Sequence, residues 1–532
     1  MSSTTAEYAQ PVPEINPWLI AVTVMVATFM EVLDTSVANV SLPHIAGNLS
    51  AGLDESTWVL TSYLVSNAIV LPLTGWFSSI FGRKKFLIAC VVIFTISSFL
   101  CGMAPSLPML VLFRVIQGAG GGGMQPASQA ILVDSFPRNK QGMAMAIYGM
   151  GVVVAPTIGP TLGGWITDDF SWRWIFFLNV PIGVISVIMI SLLIIDPHSD
   201  SHSGLKGLRS GFKIDFLGLG FLGLGLGLLQ VVLDKGERDD WFGSPFIVWS
   251  TVIAVSALVA LIVWEFITDH PVVDLRLFKD RNFAISTFMM YILGFVLYST
   301  TVLLPLLLQT LMGYTAMRSG IVLLPGGLVL LAILPSVGWL LGRFEPRWIV
   351  VTGLCVMALG LYFLSHFTLN AGESNAIDDW IFSRAGTAFL FVPINVMAFY
   401  FVPPGKMNNA SGLINLARNI GASTGISFVT TMLDRRAQFH QDVLSSNMQA
   451  GSPMYQRALT HITHEMIARG MDAVRAAQQA HATIYLQLQR QAMMLSFVDN
   501  FWIMSVVCIA VIPLMFIMKK RQGGSSARVP VH

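Results

Sequence analysis

Residues 245–267 read PFIVWSTVIAVSALVALIVWEFI, with one charged side chain, Glu265, near the end. Wound as a helix at 1.5 Å per residue, the stretch is about 35 Å long, enough to cross a hydrocarbon layer about 30 Å thick. Working outward, comparable stretches recur until there are fourteen: 18–41, 56–80, 86–104, 108–133, 141–166, 173–195, 215–233, 245–267, 283–308, 319–341, 348–366, 379–402, 408–433 and 496–518. The 532 residues are 54% hydrophobic and 11% charged, less than half the charge of a soluble chain, about 25%. Mean hydropathy is +0.68, so the apolar excess is pervasive. Such a composition excludes a soluble enzyme with an anchor and a disordered chain. The net charge of +2 is too near neutral for a nucleic-acid partner. The sequence predicts an all-α polytopic membrane protein with the lipid bilayer as its solvent.

Lys and Arg orient it. With the amino terminus inside, the inner connections and tail hold eighteen: Arg83, Lys84, Lys85, Arg138, Lys140, Lys206, Arg209, Lys213, Arg276, Lys279, Arg281, Arg343, Arg347, Lys406, Lys519, Lys520, Arg521 and Arg528. The short outer loops hold four, Arg173, Lys235, Arg238 and Arg318. Both termini are therefore expected in the cytoplasm. The first sixteen residues carry no Lys or Arg, so they form no basic leader of a cleaved signal peptide. Residues 434–495 make one long outer connection, rich in Gln. Leu459, Ile462, Met466 and Ile467 repeat there at helical spacing, so part of it is expected to be amphipathic helix. Its readings are a solvated cap or a docking surface.

Charges at bilayer depth are costly and mark pathways, proton sites or structural locks. They are Glu31 and Asp34 on helix 1, Arg114 on helix 4, Arg384 on helix 12 and Arg418 on helix 13. Glu31 and Asp34 are spaced i, i+3 and share a helix face. Counting rise per residue from each membrane surface puts Glu31 about 20 Å and Asp34 about 24 Å from the inner side, and Arg114 about 9 Å from the outer one. All three fall at similar heights and can meet. Two carboxylates in one dry site beside an arginine suit exchange of a proton, or else form a permanent ion-paired lock.

Helix 5 carries Gly149, Gly151, Pro156, Gly159, Pro160, Gly163 and Gly164, which suits a bendable helix that a neighbour approaches closely. Helix 13 holds SGLINLARNIGASTGIS (411–427), with Asn415, Arg418 and Asn419. A polar stripe so dense must face the interior. Other matches carry nothing. Gly118, Gly120 and Gly123 fit GxGxxG inside an apolar helix with no preceding strand. There is no GxxxxGK[ST]. His461, His464 and Glu465 lack the HExxH spacing. The four cysteines, Cys90, Cys101, Cys355 and Cys508, sit in apolar runs with no metal or disulfide pattern. No metal, cofactor or nucleophile cluster is expected, and the chain does not read as an enzyme.

LDTSVANVSLPHI (33–45), GWFSSIFGRKK (75–85), RVIQGAGGGG (114–123), APTIGPTLGGW (155–165) and WRWIFFLNVPIG (172–183) together resemble the major facilitator superfamily. Within it they are similar to the fourteen-helix drug:proton antiporters of the EmrB/QacA type, the EmrB branch most of all because of the long outer connection. The resemblance implies a cytoplasmic amino terminus (1–17), a six-helix bundle (18–195), a linker with inserted helices 7 and 8 (196–282), a second six-helix bundle (283–518, with 434–495 as the outer connection) and a cytoplasmic tail (519–532). A central cavity opening alternately to each side goes with it. Asp34, with Glu31, falls on the family's proton-coupling acid and Arg114 on its helix-4 arginine. Gly149, Pro156, Gly159, Pro160, Gly163 and Gly164 fall on its antiporter motif, and Gly75, Gly82, Arg83 and Lys84 on its inner-loop motif. Where that loop normally has an acid joining the latch between the halves, this chain has Ser79.

The expected function is efflux of hydrophobic or amphipathic compounds from a bacterial inner membrane in exchange for protons, with the gradient and no cofactor as energy source. Gln117, Asn395, Asn415, Arg418 and Asn419 are candidate cavity residues. The resemblance also implies a periplasmic EmrA-like adaptor and an outer-membrane channel as partners. Export of one specific metabolite, such as a fatty acid or siderophore, is the alternative.

Overall fold

A computed structural model describes residues 16–137, 140–194, 215–268, 271–403, 406–446, 448 and 452–519. Each expected span falls on a long helix. These are α1 (Pro17–Val40), α2 (Trp58–Phe81), α3 (Arg83–Met103), α4 (Leu107–Ser135), α5 (Gln141–Asp169), α6 (Asn179–Leu193, preceded by the turn Trp174–Phe177) and α7 (Phe216–Lys235). Then come α8 (Pro245–Ile267), α9 (Arg281–Thr310), α10 (Ala316–Leu340), α11 (Pro346–Leu364), α12 (Glu373–Phe399), α13 (Met407–Ser446) and α14 (Ala473–Ala510, followed by Ile512–Ile517). Among the described residues, eleven helical spans are long and apolar enough to cross a membrane. A twelfth is α5, if its halves Gln141–Pro156 and Ile158–Asp169, bent by 44°, count as one. α4 and α13 are equally long but too polar to qualify alone. Arg114, Gln117, Gln125 and Gln129 of α4 and Asn408, Asn415 and Arg418 of α13 are instead buried within the molecule.

The packing repeats. α1 lies on α5, α2 on α4, α3 on α4 and α6. In the same order, α9 lies on α13, α10 on α12, α11 on α12 and α14. These are two six-helix bundles with one internal plan. They meet through α5 with α10 and through α2 with α13, which are equivalent pairs under that repeat. The inserted helices α7 and α8 pack on each other, and α7 also touches α2 and α13. One end of the molecule carries Arg83, Lys84, Lys85, Arg276, Lys279, Arg343 and Arg347, and is called here the basic end.

At the opposite end the long connection is far more regular than its polarity suggested. α13 runs unbroken to Ser446 and α14 begins at Ala473, with a further helix, Pro453–Ala468, packed on α14. The result is a helical hairpin projecting from the bundle. Asp499 of α14 accepts from Arg436 Nε at 2.6 Å and pairs with His440 Nε2 at 2.7 Å, both on α13. The 1–17 segment before Asn16, residues 195–214 of the linker with Lys206, Arg209 and Lys213, Arg138, and the tail beyond Lys519 lie outside the described residues.

Candidate functional site

α1 carries both acids at the middle of the molecule, and their surroundings differ. Asp34, 3% exposed, receives Arg114 Nη1 at 2.6 Å, Gln117 Nε2 at 3.1 Å and Asn179 Nδ2 at 2.6 Å. Arg114, with no exposed surface, also donates from Nε to the Val59 carbonyl at 2.9 Å and from Nη1 to Gln117 Oε1 at 2.8 Å. Its guanidinium lies 4.3 Å from the Tyr63 ring centroid. This ties α1, α2, α4 and α6 into one bundle, since a buried ion pair is tolerable when hydrogen bonds satisfy most of its remaining valences; Arg114 Nη2 is left without one. Gln117, expected to line a cavity, is instead a member of this lock: its amide has just the two polarities needed to bond both partners.

Glu31 does not reach Arg114. It accepts from Tyr63 Oη at 3.2 Å, Asn67 Nδ2 at 3.3 Å and Gln125 Nε2 at 2.5 Å, all neutral donors. The other end of the Gln125 amide, Oε1, accepts from Arg418 Nη2 on α13. The acid of one bundle and the arginine of the other thus share a single amide. Beside it, Gln129 Oε1 on α4 accepts from Ser411 Oγ at 2.7 Å and Asn415 Nδ2 at 2.8 Å, and Asn419 Nδ2 donates to Asn67 Oδ1 at 3.4 Å. The polar stripe of α13 therefore faces the amino-terminal bundle. Asn395, also expected at a cavity, does not join it. It lies fully buried on α12 and donates to the Phe391 carbonyl of its own helix at 2.8 Å, as a mid-helix amide does when no partner is in reach.

Of the inner-loop residues, Gly75 borders the same interface, whereas the contacts of Arg83 with Asp134 and of Lys84 with Ser191 lie within the first bundle. Gly75 on α2 faces Asn409 on α13 so closely that a Cβ would overlap its side chain. Gly82 turns the chain between α2 and α3 with φ of 82°, Arg83 pairs with Asp134 at the end of α4, and Lys84 Nζ donates to the Ser191 carbonyl at 2.7 Å. Ser79, standing in place of the acid, donates to the Trp76 carbonyl of its own helix. The hydrogen bonds of Gln125, Gln129 and Asn67 between the halves run through amides and hydroxyls, with the Arg418 guanidinium as the charged member.

On α5 the motif divides its work. A methyl group at Gly163 would stand 2.9 Å from Val37 Cγ1 and 3.1 Å from its backbone, and one at Gly159 would overlap Ser36; both face α1. Gly149 instead faces Phe391 of the other bundle. Between them the chain bends at Pro156, whose carbonyl accepts from Ser36 Oγ at 3.3 Å. Pro160 lies in the second half of the bent helix. Gly164 was grouped with the close-packed glycines, but nothing lies within 4 Å of a Cβ there. It points away from the approaching helix.

Sequence reasoning missed Tyr63, Asn67, Gln125, Gln129 and Asn179. Each is a neutral polar residue within a predicted span, and that was the available signal, since such a side chain must find a partner.

Two repeated bundles that meet along two equivalent helix pairs, with a buried polar centre between them, define a polytopic membrane protein of internal two-fold plan. The family model for the Major Facilitator Superfamily matches residues 24–426, and the chain belongs to that family. It is 35% identical to the multidrug export protein EmrB of Escherichia coli (strain K12), over 97% of this chain and 98% of that one. It is 35% identical to the fatty acid resistance protein FarB of Neisseria gonorrhoeae, over 93% and 94%. Among solved structures, the proton:xylose symporter XylE superposes with a TM-score of 0.60 at 15% identity, covering 95% of this chain and 96% of that one; at that identity the likeness is one of fold.

Proposed function

We propose that the protein exports hydrophobic and amphipathic compounds in exchange for protons, as a multi-pass protein of the bacterial inner membrane with its basic end and both termini in the cytoplasm. The observation that carries the reading is the Glu31–Gln125–Arg418 chain, in which an acid buried among neutral donors is linked to the opposite bundle. Its proton can come and go without breaking an ion pair, whereas protonating Asp34 would strand Arg114. With Glu31 ionised, its acceptance from Gln125 favours the amide orientation that turns Oε1 to Arg418. With Glu31 protonated that preference weakens, and the halves are freer to part at the basic end. Asp34 and Arg114 hold α1 in register for this exchange.

The relatives' names, multidrug export and fatty acid resistance, support export and leave its breadth to experiment. A narrow profile, with one metabolite such as a fatty acid or siderophore, is the second reading. The projecting hairpin exposes the apolar side chains Phe439, Val443, Met454, Val474 and Leu486 on its three helices, anchors of the kind a periplasmic EmrA-like adaptor leading to an outer-membrane channel would use. The decisive measurement uses purified protein in liposomes with an imposed pH gradient and a panel of fluorescent hydrophobic probes. Gradient-driven accumulation lost in Glu31→Gln supports the proposal. A gradient that moves no probe overturns broad export.

A further inference from the structure

The two bundles share one plan, and each carries a buried arginine on its fourth helix: Arg114 on α4 and Arg384 on α12. In the first bundle the first helix, α1, supplies Asp34 to Arg114. In the second, the first helix is α9, and at the matching contact it offers Thr301, whose Oγ1 accepts from Arg384 Nη2 at 2.7 Å. Among the described residues Arg384 meets no carboxylate. It is 3% exposed, its Nε is buried without a hydrogen-bond partner, and its guanidinium lies 3.8 Å from the Trp380 ring centroid. A guanidinium held flat by an aromatic ring presents its donors edge-on, in the geometry that takes a carboxylate.

The surroundings say where that carboxylate would come from. Thr301, which meets Arg384, and Tyr298, about one turn before it on α9, are half-buried, each with part of its surface accessible. Tyr298 lies within electrostatic reach of Arg384, Arg418 and Glu31 together. That centre therefore holds two arginines and one acid, an excess of positive charge even when Glu31 is ionised. An uncompensated buried cation is costly and becomes favourable when a ligand supplies the missing charge.

We infer that Arg384 recognises the anionic head of the exported amphiphile, an aliphatic or aromatic carboxylate, taking from substrate the partner that Asp34 gives to Arg114. The inference rests on the export reading above. It also makes the exchange of one carboxylate outward for one proton inward electrogenic, because two charges cross per turn.

The test measures binding of dodecanoate, dodecanol and dodecyltrimethylammonium to the full chain in lipid nanodiscs, for the native protein and for Arg384→Gln, Arg384→Lys and Thr301→Asp. The native protein is expected to prefer dodecanoate over dodecanol at least tenfold. Arg384→Gln removes the preference while dodecanol binding persists, and Arg384→Lys restores part of it. Thr301→Asp supplies an internal carboxylate, so it also abolishes the preference and raises the melting temperature; it carries the test should Arg384→Gln fail to fold. An unchanged preference in Arg384→Gln or in Thr301→Asp overturns the inference, as does equal loss of all three probes in Arg384→Gln without rescue by lysine. Should dodecanol and the ammonium probe be pumped by a pH gradient while dodecanoate is not favoured, only this inference falls. If none is pumped, it is the export reading that fails.

Discussion

Asp34 and Glu31 stand three positions apart on one helix and meet different chemistry. Asp34 completes an ion pair whose partner has no exposed surface, so removing either charge leaves the other buried and alone. Asp34→Asn and Arg114→Gln are each expected to cost about 3–5 kcal/mol, read as a large fall in the thermal unfolding midpoint in detergent. Glu31→Gln exchanges one hydrogen-bonding group for another among neutral partners, so its cost is expected to stay near 1 kcal/mol. Its effect falls on transport instead. If the two midpoints fall alike, the division of labour between lock and proton site is wrong. The sequence made the Asp34–Arg114 meeting legible, because rise per residue alone sets two charges at one depth. It could not separate the roles of the two acids, since that depends on Asn179, Gln125 and Tyr63 arriving from three other helices.

The bend and the glycines of α5 make its two faces unequal, which a pair of adjacent substitutions exposes. Gly163→Ala drives a methyl group against the Val37 backbone and is expected to destabilise by about 1–3 kcal/mol, whereas Gly164→Ala meets open space. Equal melting temperatures would contradict the packing. The inserted helix α7 makes a second testable element. At the hairpin end it bonds Thr61 of α2 through Asp234, and Ser423 of α13 through Gln230 at 2.7 Å. Trp241 beyond it donates to Glu237 at 2.7 Å and to Thr431 of α13 at 3.1 Å. There Asp434 of α13 shares a hydrogen bond with Glu237. Partial burial, then the neighbouring carboxylate and that bond, hold Asp434 above the ordinary aspartate value. A raised acid stabilises the contact while it is protonated, and the contribution is lost as pH rises through the folded value. Spin labels on Phe242 and Phe439 should therefore show the connection loosening from α13 as pH rises, and Asp434→Asn should abolish that response. The hairpin itself shows what hydropathy cannot read. The extensions of α13 and α14 are polar helices, stabilised by each other and by Asp499, and apolar length, the signal that located the spans, is absent from them.

At the scale of the whole molecule, the question is what keeps the basic end shut when the inner loop has Ser79 where the family's latch has an acid. α2, α4 and α13 answer with hydrogen bonds in place of an ion pair: Gln129 holds Ser411 and Asn415, Asn67 holds Asn419, and Gln125 holds the Arg418 guanidinium. Each neutral bond is worth about 1 kcal/mol net, and the one from Arg418 about 1.5–3 kcal/mol, because water satisfies the same groups once the halves part. A charged latch, by contrast, gains strength from burial and resists opening. A latch of hydrogen bonds without an ion pair therefore gives a shallow preference, one that a single proton at Glu31 or a bound substrate can reverse. Gln129→Ala removes two of these bonds and is expected to shift the ratio of shut to open forms by about 2 kcal/mol, roughly thirty-fold. Spin labels at Lys85 and Arg343, both exposed at the basic end on opposite bundles, would report it as a longer-distance population that grows in Gln129→Ala. Ser79→Asp should act in the opposite sense if a charge there can still engage α13. A distance distribution that ignores Gln129→Ala would place the latch elsewhere, on the α5–α10 contact where Gly142 meets Gly338 and Leu341, which is the other pair the internal repeat makes equivalent to α2 and α13.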